Sequence, residues 1–419
     1  MSSRGLLVIV DPAYASTVGH HGEVNRPLLA ELIGAGWRAE LWADVALEAE
    51  PTAPSPLRGV FSDCGYGDPA HWRELGGMVR LARRLEGQLV QAAAWAGEPV
   101  AAWLGHSLLP FQLLGLARHL ATAAPAEVLL SLMFSPGETL KDPGGTEQAT
   151  ANARVALAAL ARACRQQGHR LTLAFPSRQQ ERLYEPLLAA TGVNSAGVHS
   201  AVVGAGCRPQ PPRPGEPPLV LLHWGDLKPG KGRGEALAVL EQLLAGGARD
   251  ELHGWGWLWH QHGTTSLPSE ERQLLKEAQE AGLGLVCLEQ EVPSAAMQQW
   301  LARCPLALLA YDPLHYSQRS SGLLWHWAAS RYALGKGALA VGYGEGWLAA
   351  EAQELGLNWR VPAGGWGGDA WLGELAGGAE AVRHFQGINL NAAGQAILGT
   401  CFATWCSQQL ARNSGSTLR

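Results

Sequence analysis

Residues 312–347 read DPLHYSQRSSGLLWHWAASRYALGKGALAVGYGEGW, and the order of elements in this stretch decides the fold. The apolar run just before it, Leu306 to Ala310, is short enough to be a buried strand of a parallel sheet. A polar loop, Tyr311 to Arg319, then stands at the carboxyl edge of that sheet. Ser320 or Ser321 caps a helix over Gly322 to Leu334, which stops at Gly335-Lys336-Gly337. Ala338 to Val341 reads as a second strand, and a Gly-rich turn leads into another helix from Trp347. Strand, polar loop, helix N-terminus, strand is the unit with which open α/β sheets hold anionic ligands.

The same alternation extends outward in both directions. Leu6 to Val10 is an apolar strand ending at Asp11. A loop carrying Gly19-His20-His21-Gly22 follows, then a helix from Glu23 to Leu32 and a strand from Trp37 to Trp42. Strands at 100–104, 128–134 and 171–175 alternate with helices at 71–96, 109–120 and 147–167, and Ser177 opens a further helix. This predicts a doubly wound parallel sheet over residues 1–206. Residues 207–218 hold six prolines in twelve positions. So few backbone donors exclude this stretch from a sheet and make it a stiff linker. A second α/β domain is expected over 219–391, with strands at 219–224, 255–259 and 284–288 before the central unit. A terminal helix and tail, 392–419, complete the chain; that helix is expected to cross back to the first domain.

Bulk composition narrows the function. A net charge of −5, 47% hydrophobic residues and 16% charged residues describe a globular protein without a basic tail or Lys/Arg block, so nucleic acid is not the expected partner. The five apolar residues after Gly5 are too few for a signal-peptide core, and no stretch approaches about 18 uninterrupted apolar residues. The seven cysteines are scattered without CxxC spacing, as befits free thiols in a reducing cytoplasm. G-x-G-x-x-G is absent after Val10, which disfavours a nicotinamide cofactor. His260 and His262 are read as pointing to opposite sides of their strand, so no metal site is expected there.

Three stretches carry a resemblance to the GT-B glycosyltransferases, more narrowly the group 1 or family-4-like members. GDLKPGKG (225–232) is similar to the family's G-R-x-x-x-x-K-G, where Arg and Lys grip the donor's diphosphate. The central stretch is similar to the family's loop and helix with two glutamates eight positions apart, followed by its G-K-P-V-V strand, here Gly335 to Leu339. GHHGEVNRPLLAELIGAGWRAEL (19–41) is similar to its Gly-rich first loop and helix. The departures are specific: the glutamate pair maps to Gln318 and His326, and the diphosphate Arg maps to Asp226.

The resemblance implies two Rossmann-like domains facing a cleft and a cytoplasmic, metal-independent transferase, without cofactor. It would move a sugar from a nucleotide-diphosphate donor to an acceptor hydroxyl, with retention of configuration. On the donor side the expected residues are Gly225, Lys228, Lys231, Gln318, Arg319, Ser320, Ser321, Gly322 and His326. Gly230 and Gly232 leave room for backbone approach to phosphate, and Asp226 is read as orienting a lysine. On the acceptor side His20, His21 and His106 are candidate general bases because an imidazole titrates near neutrality; Glu23 and Glu138 are the nearest carboxylates. The acceptor itself, whether carbohydrate, lipid-linked or protein, is not specified. A non-catalytic GT-B protein that binds a sugar nucleotide or glycan is the alternative that Gln318, His326 and Asp226 favour. A sugar-nucleotide epimerase or a phosphorylase of the same fold is a further one.

Overall fold

The computed structural model describes residues 5–15, 20–47, 56–66, 70–138, 146–193, 195–199, 209–226, 228–247, 249–262, 267–385 and 391–416. The chain divides into two compact units, one of Met1–Gly206 with Gly399–Arg419, the other of Cys207–Leu398. Gly19 of the first loop and residues 207–208 of the proline-rich stretch lie outside the described residues.

In the first unit the elements run β1 (Leu6–Val10), α1 (His20–Gly34), β2 (Arg38–Asp44), β3 (Leu57–Phe61), α2 (Ala70–Arg73) and α3 (Leu75–Ala96). They continue with β4 (Val100–His106), α4 (Pro110–Leu120), β5 (Glu127–Ser131), α5 (Glu147–Gln167), β6 (Arg170–Phe175), α6 (Arg178–Thr191) and β7 (Ser195–Val198). The second unit holds β8 (Leu219–Gly225), α7 (Arg233–Leu244), β9 (Gly256–Gln261), α8 (Ser269–Glu280), β10 (Leu285–Leu288) and α9 (Ser294–Ala302). After these come β11 (Leu306–Leu308), α10 (Gly322–Ala333), β12 (Leu339–Val341), α11 (Trp347–Leu355), β13 (Asn358–Arg360), α12 (Gly368–Arg383) and α13 (Ala392–Leu398). The last helix, α14 (Phe402–Ser416), returns to the first unit.

Both sheets are parallel and wound outward from a central pair. The first has the order β3-β2-β1-β4-β5-β6-β7, the second β10-β9-β8-β11-β12-β13. Because β1 runs LLVIV with every residue buried, it suits the middle of a sheet covered on both faces. Its even-numbered residues join Trp42, Trp103 and Phe111 in one core. Its odd-numbered residues join Leu28, Leu32 and Trp405 in the other. That split is the period-2 alternation of a strand.

Several boundaries differ from the sequence reading. His20 and His21 begin α1 instead of lying in a loop, because Gly22 is absorbed and buried in the first turn. The single helix expected over 71–96 is broken at Glu74 into α2 and α3. The terminal helix expected from Ala392 to Leu410 is two helices, α13 and α14, in different units. The GKG strand starts only at Leu339, since buried Arg331 of α10 donates two hydrogen bonds to the Gly337 carbonyl and one to Ala302. Ser177 caps α6 as expected, accepting from the Gln180 amide at 3.2 Å.

Candidate active site

In an open sheet wound 3-2-1-4-5-6, ligands bind beyond the carboxyl ends of the strands where the winding reverses. In the first unit that point lies between β1 and β4. Asp11 follows the last residue of β1 and His106 is the last residue of β4, so the backbone alone brings the two together. Asp11 is 1% exposed. Its Oδ2 accepts from His21 Nδ1 at 2.7 Å and from Asn25 Nδ2 at 2.5 Å, and its Oδ1 accepts from the Ala13 amide at 3.1 Å. His21 and Asn25 are four apart on α1 and share one face of the helix. Burial alone raises the Asp11 carboxyl. The charge and hydrogen bond of His21, the field of His106 and the Asn25 amide outweigh it and hold the group at about 2. Asp11 is therefore an anion that fixes the proton of His21 on Nδ1.

The opposite nitrogen, His21 Nε2, accepts from the Tyr66 hydroxyl at 2.8 Å. Tyr66 as a whole is 42% exposed. Burial first, then the charge of Asp11, raises that hydroxyl well above its ordinary range. His106 is lowered to about 4, chiefly by burial, although Asp11 pulls the other way. Neutral His106 turns Nε2 toward Asn25 Oδ1 at 3.0 Å, an acceptor, so Nε2 carries the proton and Nδ1 accepts from Ser107 Oγ at 2.9 Å. Ser107 Oγ also lies 3.3 Å from His20 Nε2. Ser107 has φ 55, the one non-glycine in the left-handed region among the described residues. Such strain is held in place by surrounding structure and clusters at functional sites.

All three expected histidines thus converge, with Glu23 in the same first turn of α1 and Glu138 buried nearby, its charge reaching Tyr66. Sequence reasoning missed Asp11, Asn25, Tyr66 and Ser107 as parts of this group. An acidic residue closing an apolar strand, and an Asn four residues after a His, are the signals that point to the first two.

The second unit repeats the logic between β8 and β11. The Asp226 carboxylate following β8 binds Lys231, and its other oxygen lies 2.9 Å from Lys228 Nζ. Burial raises the Asp226 carboxyl, but both lysines, Lys231 foremost, bring it below the ordinary range. The expectation that Asp226 orients a lysine therefore matches the geometry for both. Gly232, with φ 72, has no room for a Cβ, which would meet the Ala310 carbonyl oxygen at 2.8 Å. Gly230 is similar: its carbonyl accepts from the Asp312 amide at 2.9 Å, and a Cβ there would meet His315. These close approaches seat the 225–232 loop against the loop following β11. No side chain caps α7, so its first-turn amides face the loop uncapped.

Around α10 the serines behave differently from expectation. Ser321 occupies the N-cap position without a side-chain cap. Ser320 Oγ donates to Glu351 Oε2 at 2.8 Å and accepts from Trp325 Nε1 at 3.0 Å. Its hydroxyl is engaged by a buried carboxylate that sequence reasoning did not find. Gln318 and Arg319 are half-buried in the preceding loop, Gly322 begins α10, and His326 is 6% exposed within that helix. A separate cavity of ≈ 480 Å³, lined by Glu345, Gly346, Gln353 and Trp359 among others, lies at the turn between β12 and α11 and includes none of these residues. The reading that His260 and His262 point apart is wrong: residues two apart in a strand share a face, and the rings lie 5.4 Å apart.

No protein-family model matches the chain, and no curated protein matches it in sequence. Its likeness is structural and spans the full length. The apo structure of OtsA superposes with a TM-score of 0.58 at 12% identity, covering 97% of this chain and 98% of that one. A UDP-forming α,α-trehalose-phosphate synthase from Burkholderia xenovorans in complex with glucose-6-phosphate gives 0.56 at 11%, covering 98% and 99%. A trehalose-6-phosphate protein from E. coli bound with UDP-2-fluoro glucose gives 0.55 at 12%, covering 96% and 95%. At such identities the likeness establishes the fold, which is GT-B. Among the described residues, no helix is long and apolar enough to cross a membrane.

Proposed function

We propose that this protein transfers a glycosyl unit from a nucleotide-diphosphate sugar to an acceptor hydroxyl, each unit supplying one half of the chemistry. The observation that carries this reading is the presence of a charged or hydrogen-bonded group at the winding reversal of both sheets. In the second unit, Lys231 and Lys228 and the uncapped amides of α7 receive the diphosphate, with Arg319 as a further cation. Negative charge grows on that diphosphate as the glycosidic bond breaks, so cations and helix amides fixed there lower the barrier.

In the first unit, His21 Nε2 takes the acceptor's proton in place of the one it shares with Tyr66, while Asp11 stabilises the imidazolium that forms. Proton transfer to His21 with the donor leaving from the opposite face gives inversion. Proton transfer to the departing phosphate gives retention, as the family resemblance implies. The likeness to UDP-forming synthases makes a UDP-sugar the first donor to try.

The test is a panel of UDP-, GDP- and ADP-sugars with glucose-6-phosphate and neutral sugars as acceptors, read by nucleotide release and by the product's anomeric NMR signal. Acceptor-dependent release supports the proposal. Nucleotide binding without release across the panel assigns a binding module in its place.

A further inference from the structure

We propose that His20, His21 and His106 form a binding site for a divalent transition metal of the zinc type. One ring nitrogen from each residue lies within 4.8 Å of one from each of the others. Neutral imidazole is the preferred protein ligand for such ions. Tetrahedral zinc with bonds of about 2.0–2.1 Å sets its ligand nitrogens roughly 3.4 Å apart, so the group closes with shifts on the order of an ångström. His20 is placed to supply that movement. It is the first residue of α1 and half-buried, whereas the other two rings are buried and pinned.

The pinning is the stronger argument. A metal-bound histidine is oriented by a partner on its other nitrogen, most often a carboxylate or an amide oxygen. Here Asp11 accepts from His21 Nδ1 at 2.7 Å, and Asn25 Oδ1 accepts from His106 Nε2 at 3.0 Å. Both rings are therefore aimed in advance. Their remaining nitrogens face hydroxyls, Tyr66 on His21 and Ser107 on His106, and Ser107 Oγ is also 3.3 Å from His20 Nε2. An ion takes the place of those hydroxyl protons. Tyr66 is 42% exposed, and Ser107, at φ 55, places its hydroxyl between the His106 and His20 rings. His260 and His262 make a useful contrast. Among the described residues they belong to no cluster of three such ligands, and His260 Nε2 is engaged by the Gln290 carbonyl at 3.0 Å.

One consequence rests on the proposed function. An ion on His21 removes the lone pair that would accept the acceptor's proton, so occupancy switches transfer off and a chelator restores it. Binding is measured without that assumption. The full-length chain, stripped of metal, is titrated with Co²⁺ followed by its visible d–d bands, and with Zn²⁺ followed by calorimetry. The expected result is one ion per chain with tetrahedral cobalt bands. His20→Ala, a half-buried helix-start position, should weaken binding more than about tenfold and abolish the bands. His262→Ala should leave both unchanged, and metal-free thermal melts confirm that each variant is folded. Wild-type affinity in His20→Ala, or no saturable binding at micromolar metal, overturns the site. If the ion binds as described and turnover is unaffected, the metal site stands and the assignment of His21 as base falls.

Discussion

Replacing Lys231 by alanine tests the diphosphate assignment most directly. Lys231 and Lys228 are bound to opposite oxygens of the Asp226 carboxylate, but their side chains are 19% and 71% exposed respectively. A hydrogen bond from an ion to a phosphate is worth about 1.5–3 kcal/mol. Asp226 competes for the Lys231 ammonium, which places the net loss in the lower half of that range. At 1.4 kcal/mol per decade, Lys231→Ala should weaken UDP by about 10- to 40-fold. Lys228, largely in solvent, gains at most about 1 kcal/mol from an ion pair, so Lys228→Ala should cost about fivefold or less. Calorimetric titration with UDP at one fixed ionic strength reads both numbers, and a thermal melt of each variant separates lost binding from lost folding. A Lys231→Ala affinity within twofold of wild type, or a larger loss in Lys228→Ala, would refute the reasoning.

Asp11→Asn should lower turnover by about 10²- to 10⁴-fold while leaving UDP affinity within about twofold, because the carboxamide no longer fixes the His21 tautomer; steady-state kinetics beside calorimetry check the split. His119 packs against Trp103 with both ring nitrogens lacking hydrogen-bond partners, and burial lowers its pKa to about 4. The unfolded chain takes up this proton near pH 6.5 and the folded chain refuses it until about pH 4, so stability falls as pH drops through that window. Between pH 7.5 and 5.0, denaturant titrations should show His119→Leu losing about 2 kcal/mol less stability than wild type. Gly232→Ala forces a Cβ against the Ala310 carbonyl at φ 72 and should destabilise by about 1–3 kcal/mol while weakening UDP; unchanged values for both would remove the argument for a tight loop.

The two-sheet architecture was legible because its strands are continuous apolar runs: LLVIV and LVLLHWG admit few readings other than buried parallel strands. The elements that escaped are those without such a run. β13 is Asn358-Trp359-Arg360, half-buried at the sheet's edge, and β3 opens with the half-buried Leu57 and Arg58. His20 and His21 were placed in a loop on the strength of flanking glycines, yet the helix packs Gly22 inward, tertiary burial overriding a weak local propensity. Within the site, His21 and His106 were found as residue types. Asp11, which gives His21 its direction, was found only as the end of a strand. Tyr66 is 45 positions from His21, and nothing local announces such a contact. Ser320 was read from a capping rule that a buried carboxylate, Glu351, overrode.

The return of α14 has a consequence for how the chain is made. Phe402, Trp405, Cys406 and Leu410 sit in the same apolar layer as Leu28, Leu29 and Leu32 of α1, and α14 packs on α1. One face of the sheet laid down first stays bare until α14 has been made. At about 5–20 residues per second, the N-terminal segment waits roughly ten to forty seconds for its lid, long enough for Cys207–Leu398 to close beforehand. The helix bearing His21 and Asn25 is on the waiting face, so nascent chains would hold a complete second unit while α1 still lacks its cover.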